Sequence, residues 1–486
     1  MRRISFTWST TSSLVFALLF VALATSAARR PRYGGTLTID LQARVISLDP
    51  AQKQGNVADQ IAQERLLRLI ADRLVELDQS GQPKPALAVS WQHSDKFTRW
   101  EFHLRPNVKF QDATALTPQL VVDSLQAVSP AWRVSSADDS VIVESDSPLP
   151  ELPYILAESQ NSILLRRPTG ELIGTGPFRL TTWEPGRHAV FAANDDYWGG
   201  RPFVDGIDVQ MGRTVRERMI DLDLGKADIA DVAPDRARID ASRDVRISAS
   251  DPAELVALIF ARSSTRAKNI HIRQALSLAI DRPSLIDFVL QKEGAPAGAL
   301  LPQWSSGYEF LFSTASDAAS ARQLASQISP AQPLRLGYDA EDPMERMIAE
   351  RIAVNAQAAG TSISVRAISV DSPSGVASRS TNVPEYDARV VRLPVSSPAP
   401  EVALGDFLQT LAQLADLDPS LTVPLNDPAN PEQLYSRERA VVDTYEIIPL
   451  VHVPEVVGLS ARVRDWMPAR WGAWHLADIW LDGAAQ

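Results

Sequence analysis

The chain has 486 residues, 45% hydrophobic and 22% charged, which is ordinary globular composition and enough for two or three structural units. Its formal charge of −11, from 48 basic and 59 acidic residues, argues against nucleic acid or an anionic membrane surface as the main partner. With no cysteine at all, disulfides, thiolate metal sites, cysteine nucleophiles and an acylated lipoprotein cysteine are excluded.

At the start of the chain, Arg2 and Arg3 precede the apolar run Leu14 to Leu23. Ala22-Leu23-Ala24 and Thr25-Ser26-Ala27-Ala28 then supply small residues for cleavage. This pattern predicts an export signal over residues 1–28, with a mature chain beginning between Thr25 and Arg30. The competing reading is an uncleaved anchor, since Trp8 to Ala28 is long enough to span a membrane, although seven Ser and Thr residues dilute it.

Gly35 to Leu41 alternates as a strand and runs on to the turn-type Ser47-Leu48-Asp49-Pro50. Apolar residues at Ile61, Leu66, Leu69, Ile70 and Leu74 predict one helix from Asp59 to Leu77. Trp100 to Leu104 is a strand, and Thr117-Pro118 opens a helix with an N-cap and a first-turn proline. Ser140 to Glu144 and Ser162 to Arg166 read as short strands. Phe178 to Thr182 and His188 to Ala192 flank Glu184-Pro185-Gly186 as a hairpin, and Arg216 to Leu224 is helical. Ile270 to Gln291 reads as two helices meeting at Asp281-Arg282-Pro283. Pro333 to Tyr338, Pro343 to Ala359 and Ser362 to Ala367, with Gly360 as helix stop, form a strand–helix–strand crossover. Ser372 to Thr381 and Pro394 to Pro400 are loops, and Ile448 to Val453 and Ile479 to Leu481 are strands. Hairpins mixed with crossover units make the class α/β with mixed sheets.

Six segments carry a resemblance. They are Gly34 to Leu37 with Ser47 to Pro50; Pro85-Ala86-Leu87-Ala88-Val89-Ser90-Trp91; Phe102 to Phe110; Gly174-Thr175-Gly176-Pro177-Phe178; Asn194 to Gly200; and Arg273 to Arg282. In this order they resemble the peptide- and nickel-type extracellular solute-binding proteins. Each segment also has a scaffold reading: Trp91 in the core, Gly174 and Gly176 supplying positive φ and close backbone approach, Arg273 and Asp281 bracing a helix.

The resemblance implies a two-lobe periplasmic binding protein fold, type II-like, with a subdomain inserted in the first lobe. Lobe I would comprise 32–75, 174–262 and 450–486, the inserted subdomain 76–173, and lobe II 263–449. The implied function is that of the periplasmic substrate-binding component of an ABC importer, closing about a hinge on an oligopeptide-sized solute. It would be a monomer, neither an enzyme nor a lipoprotein, with no cofactor or metal. Its partners would be the solute and an inner-membrane permease, with no nucleic acid. A sensor or scaffold without transport and an exported hydrolase are the alternatives. The chain lacks a Gly-x-Ser-x-Gly elbow and a His-Glu-x-x-His helix, and its six histidines lack metal-type spacing.

The resemblance places ligand contacts of the second lobe near Pro302-Gln303-Trp304 and Tyr308, where aromatic rings offer stacking area. Two departures bear on the ligand and one on a turn. After Tyr386-Asp387 the chain lacks the Trp and the Asp that meet a peptide's amino terminus in relatives. Arg44 stands where some relatives have an acid. Arg44, Arg389 and Arg392 therefore become the candidates for a neutral or anionic solute, with Arg389 and Arg392 on opposite faces of their strand. The turn at Asp112-Ala113-Thr114 lacks the expected glycine and should differ.

Overall fold

Alternation of apolar residues fixes the first strand. In the computed structural model, Thr36–Asp40 buries Leu37 and Ile39 and pairs parallel with Gly206–Gln210 and with Ile229–Asp231. The structure describes residues 30–483 apart from 53–56, 129–131, 233–244, 262–263, 328–332, 369–385, 415–418, 423–429 and 468–473. The expected export signal and the loop Ser372 to Thr381 lie outside the described residues.

One sheet of eleven strands runs through the molecule. The hairpin Phe178–Glu184/His188–Ala193 forms one edge, followed by Gly206–Gln210, Thr36–Asp40 and Ile229–Asp231. The far end holds Ala388–Pro394, Leu334–Asp339 and Ile363–Ile368, the last two joined in parallel by the helix Pro343–Ala358. Between these ends lie two long antiparallel strands, Val245–Phe260 and Ile447–Ser460.

Buried side chains gather in three bodies, two on this sheet and one on a sheet of its own. The first gathers Leu37, Ile39, Ile70, Phe178, Ile207 and Leu481. The second surrounds a separate four-stranded sheet and gathers Phe102, Val121, Val141 and Leu152. The third covers both faces of the far end, because successive residues of the long strand alternate: Leu255, Ala257 and Ile259 face Phe407 and Leu411, while Val256, Leu258 and Phe260 face Ile348 and Ile352. Burial on both faces is why this strand reads as a continuous apolar run.

Two expected features take a different form. Helix Val57–Ile70 stops well before Leu77, because the segment Gly174 to Gly176 lies across its last turn. Gly176 N and Gln111 Nε2 both donate to Ile70 O, at 3.0 and 3.1 Å. A Cβ at Gly174 would sit 1.9 Å from Ile70 O, and one at Gly176 2.5 Å from Ile70 C. Neither glycine has positive φ, so close approach alone requires them. Val75–Leu77 leaves the helical pattern to pair with Pro83–Pro85. The tail alternates as its pattern predicts. Ile479 and Leu481 join the first core, and Trp480, although only 3% exposed, turns away to donate to Asp465 Oδ2 at 2.7 Å.

The turn at Asp112-Ala113-Thr114 keeps a left-handed residue without glycine: Ala113 has φ of 68°, its N donates to Phe110 O, and Thr114 N donates to Asp112 Oδ1. An alanine there is strained by about 1 kcal/mol. Ala113→Gly is accordingly expected to raise stability by about that amount. Gly174→Ala, whose Cβ meets backbone, is expected to cost more than about 4 kcal/mol. Urea unfolding of the two variants checks the opposite signs.

Candidate ligand cleft

The long strands set the geometry of the cleft. At one end Val457–Leu459 of the later strand lies beside Ile229–Asp231, and at the other Glu254–Phe260 of the earlier strand lies beside Ala388–Pro394. Between these regions the register shifts on both sides of the pair Pro252↔Pro454. Proline donates no hydrogen bond, so the ladder is weakest at this crossing. Beyond it, the first and third bodies meet again where helix Val57–Ile70 packs against strand Ala388–Pro394.

Charged groups gather on both sides of the crossing. Arg65 Nη2 pairs with Glu455 at 2.5 Å and its Nη1 lies 3.5 Å from Asp231, while its guanidinium lies over the Trp474 ring. Trp474 Nε1 donates to the same Glu455 at 2.8 Å. Across the crossing, Arg392 Nε donates to Glu254 at 2.7 Å and its Nη1 to Asp342 at 3.0 Å. Burial works against the charge of Arg392, but Glu254 and Asp342 outweigh it and hold the guanidinium's pKa above its ordinary value. Burial and the charge of Asp342 push the nearby Glu345 upward, although Asp339 N donates to it.

The five residues singled out from sequence fall in different places. Arg44 is exposed on the first body; its N donates to Asp59 Oδ1 at 2.6 Å and its side chain lies over Gly212. Trp304 is half-buried and its indole N–H donates to Pro252 O at 2.7 Å, tying the loop after Pro302 to the strand crossing. Tyr308 is 7% exposed and its hydroxyl donates to Glu438 Oε2 at 2.8 Å. That tyrosine is given over to the core, with Phe312 and Tyr435 around it. Arg389 is half-buried with its guanidinium 5.7 Å from the Tyr386 ring, and Arg392 is held by its two acids. Neither Tyr308 nor Arg392 is therefore a free ligand contact: burial occupies one and ion pairing the other.

The motifs converge on scaffold rather than on ligand. Asp72, at the end of helix Val57–Ile70, accepts from Thr175 Oγ1, Tyr197 OH and Trp198 Nε1 at 2.9, 2.9 and 2.8 Å, which joins two of the six segments. The turn at Asp49 is held by Gln63 Nε2, which donates to Ser47 O and Asp49 O at 2.9 Å each. Glu438 accepts from Leu300 N, Leu301 N and Tyr308; burial nevertheless pushes its carboxyl up to about 7. His452 bridges Glu309 and Leu300 O at 2.9 and 3.0 Å, so the loop carrying Trp304 is fixed from two sides. Among the described residues, no group of three His, Cys, Asp or Glu could hold a metal ion.

Sequence reasoning missed Asp72 and Glu438, which gather donors from distant segments of the chain. No spacing in the chain signals such a meeting.

The model of the bacterial extracellular solute-binding proteins, family 5, matches residues 82–415, more than half of the chain. The chain belongs to this family. Family-5 relatives include a probable D,D-dipeptide-binding periplasmic protein of Escherichia coli, 24% identical over 56% of this chain and 58% of that protein. Protein XP55 of Streptomyces lividans is 29% identical over 52% of this chain and 51% of its own length. The chain thus spans about half the length of the curated relatives it matches. Among solved structures, a periplasmic binding protein of Helicobacter pylori in complex with the peptide STSA superposes with TM-score 0.79 at 17% identity, covering 93% of this chain and 99% of that one. The Bacillus subtilis oligopeptide-binding protein AppA, in complex with a nonapeptide, gives 0.79 at 16% identity over 93% and 100%. These likenesses show the fold: mixed α/β, as the element pattern predicts, and that of periplasmic binding proteins.

Asp387, from the Tyr386-Asp387 pair, is 1% exposed and accepts from Arg335, Ser264 and Arg266. Burial opposes its charge, but the bonds from Arg335 and Ser264 prevail and hold it at about 2, below its ordinary 3.8. A depressed carboxyl stabilises the fold above its unfolded pKa, and this contribution disappears as pH falls from about 4 through about 2. Asp387→Asn should cost about 2 kcal/mol at pH 7 and flatten the acid limb of the stability curve, as read by denaturation from pH 7 to pH 2.

Proposed function

We propose that this protein is the solute-capturing component of an ABC importer, acting outside the cytoplasmic membrane by closing two lobes on an oligopeptide-sized solute. The lobes would be 32–75, 174–262 and 450–486 on one side and 263–449 on the other, with 76–173 as an inserted subdomain. The observation that carries the reading is the strand crossing at Pro252 and Pro454 between separately cored bodies. Rigid bodies joined by two weakly bonded strands move by hinge bending, and a solute bound to both stabilises the closed form.

Binding without turnover is the corresponding chemistry. Arg392, Glu438 and His452 are bonded to scaffold partners, which supports binding over turnover. Trp304, Arg44 and Arg389 remain the proposed solute contacts from the original set. Export as a soluble monomer after removal of residues 1–28 completes the reading.

The experiment is native mass spectrometry of protein purified from the periplasm, followed by small-angle scattering before and after removal of the bound species. A retained solute, and a particle that expands when it is stripped, are the expected results. A protein that carries nothing and keeps one radius of gyration with every added peptide would refute the proposal, as would hydrolysis of a co-purified solute.

A further inference from the structure

The turn that carries Trp304 is tied to both long strands. On one side the Trp304 indole donates to Pro252 O at 2.7 Å. On the other, Glu309 links the turn to His452. Its Oε2 accepts from Gln303 N at 2.7 Å, at the first residue of the short helix Gln303–Ser306. Its Oε1 lies 2.9 Å from His452 Nδ1. His452 pairs in register with Leu255, close to the crossing at Pro252 and Pro454.

The second ring nitrogen decides the chemistry. His452 Nε2 lies 3.0 Å from Leu300 O, so both nitrogens face acceptors. A neutral imidazole has one N–H and one lone pair, and either tautomer aims that lone pair at an oxygen. The imidazolium donates to both, and its bond to a carboxylate is of the stronger, charge-assisted kind. The residue is 1% exposed, so bulk water does not replace a missing bond.

The elements packed on His452 bring few buried charges. Helix Pro431–Val442 buries Glu438, which accepts from Leu300 N, Leu301 N and Tyr308 OH. Burial raises the Glu438 carboxyl, and these bonds and the charge of His452 act against it. Helix Arg282–Phe288 buries Arg282, which is turned to Ala297 O and Pro449 O. The register partners Leu255 and Ala295 are apolar, and the adjacent Glu254 is paired with Arg392.

We propose that His452 is a positioning residue for Trp304. Its protonated ring, bonded to Glu309 and Leu300 O, sets the turn against the strand crossing, and loss of the proton as pH rises loosens it. The inference rests on reading Trp304 as a solute contact, which is then held ready at low pH and loose at high pH.

The test follows amide hydrogen exchange of residues 303–312 in the solute-free protein from about pH 5 to about pH 9, each rate divided by its intrinsic value at that pH. Protection should fall about tenfold or more as pH rises. Nitrogen NMR of histidine-labelled protein should show a ring with both nitrogens protonated that loses a proton over the same range, and His452→Gln should remove that signal and the low-pH protection together. Glu309→Gln separates charge from shape. Its amide can donate to Nδ1 of a neutral ring and still accept from Gln303 N, so protection should persist and no longer vary with pH. Wild-type protection that ignores pH, a fall of equal size in Glu309→Gln, or protection that survives His452→Gln would overturn the proposal and leave solute capture standing. Wild type and Glu309→Gln decide the matter even where His452→Gln fails to fold. Native mass spectrometry that finds no solute would remove the role of Trp304 and this inference with it, whatever the exchange rates show.

Discussion

Everything in this molecule depends on one pair of strands. Val245–Phe260 and Ile447–Ser460 are hydrogen-bonded along most of their length, yet they belong to different cores at their two ends. A continuous ladder would lock those cores together. The pair Pro252↔Pro454 removes donors where the strands pass from one core to the other, so the ladder joins the bodies without fusing them. Ser250 Oγ, accepting from Glu455 N at 2.9 Å, and Trp304, donating to Pro252 O, are side-chain bonds that stand in for the missing backbone ones. They fix the path of the chain through the crossing and leave its bend to the relative position of the bodies.

Away from the crossing, rigidity comes from buried polar groups that are shared between segments. Asp72 collects three donors from two motifs. Arg273 donates to Ala267 O and Thr444 O and pairs with Glu446, stitching a helix start to the entry of the second long strand. Arg282, 4% exposed, donates to Ala297 O and Pro449 O. An apolar residue in any of these positions would leave its partners unsatisfied, which costs more than the bond itself contributes. This is why the segments carrying Thr175, Tyr197, Trp198, Arg273 and Arg282 read as scaffold: each supplies one part of a bonded junction that holds a body in shape.

Local chemistry made much of this legible. Thr117, Asp281 and Gly360 act where a sequence reader puts them, as N-caps and a helix stop. The crossover unit from Leu334 to Ile368 followed from its alternating strands and one capped helix. What failed was local inference about non-local matters. The helix period running through Leu74 was overridden by a glycine segment a hundred residues away pressing on Ile70. The strand from Val245 was invisible because Ser250-Asp251-Pro252 reads as a turn, although the partner strand carries it through as a bulge. Ala113 retained a glycine's conformation because its turn is bonded from Phe110 and Asp112. Tyr308 looked like a cleft aromatic, but its decisive neighbour, Glu438, lies far along the chain.

The arginines were the most misleading residues, and the reason is general. An arginine contributes positive potential only if no carboxylate shares its surroundings. Two arginines beside the crossing have such partners: Arg65 has Glu455 and Asp231, and Arg392 has Glu254 and Asp342. Arg213 likewise has Asp40, Glu217 and Asp221. Each guanidinium neutralises acids that burial would otherwise make costly, and Asp40 shows the limit of that help. Burial and the adjacent Asp221 push it up to about 6 in spite of Arg213 and Arg218. These three arginines therefore serve the scaffold's carboxylates. Counting charges along the sequence weights every arginine equally; the fold pairs Arg65, Arg213 and Arg392 with acids and so takes their charge out of that count.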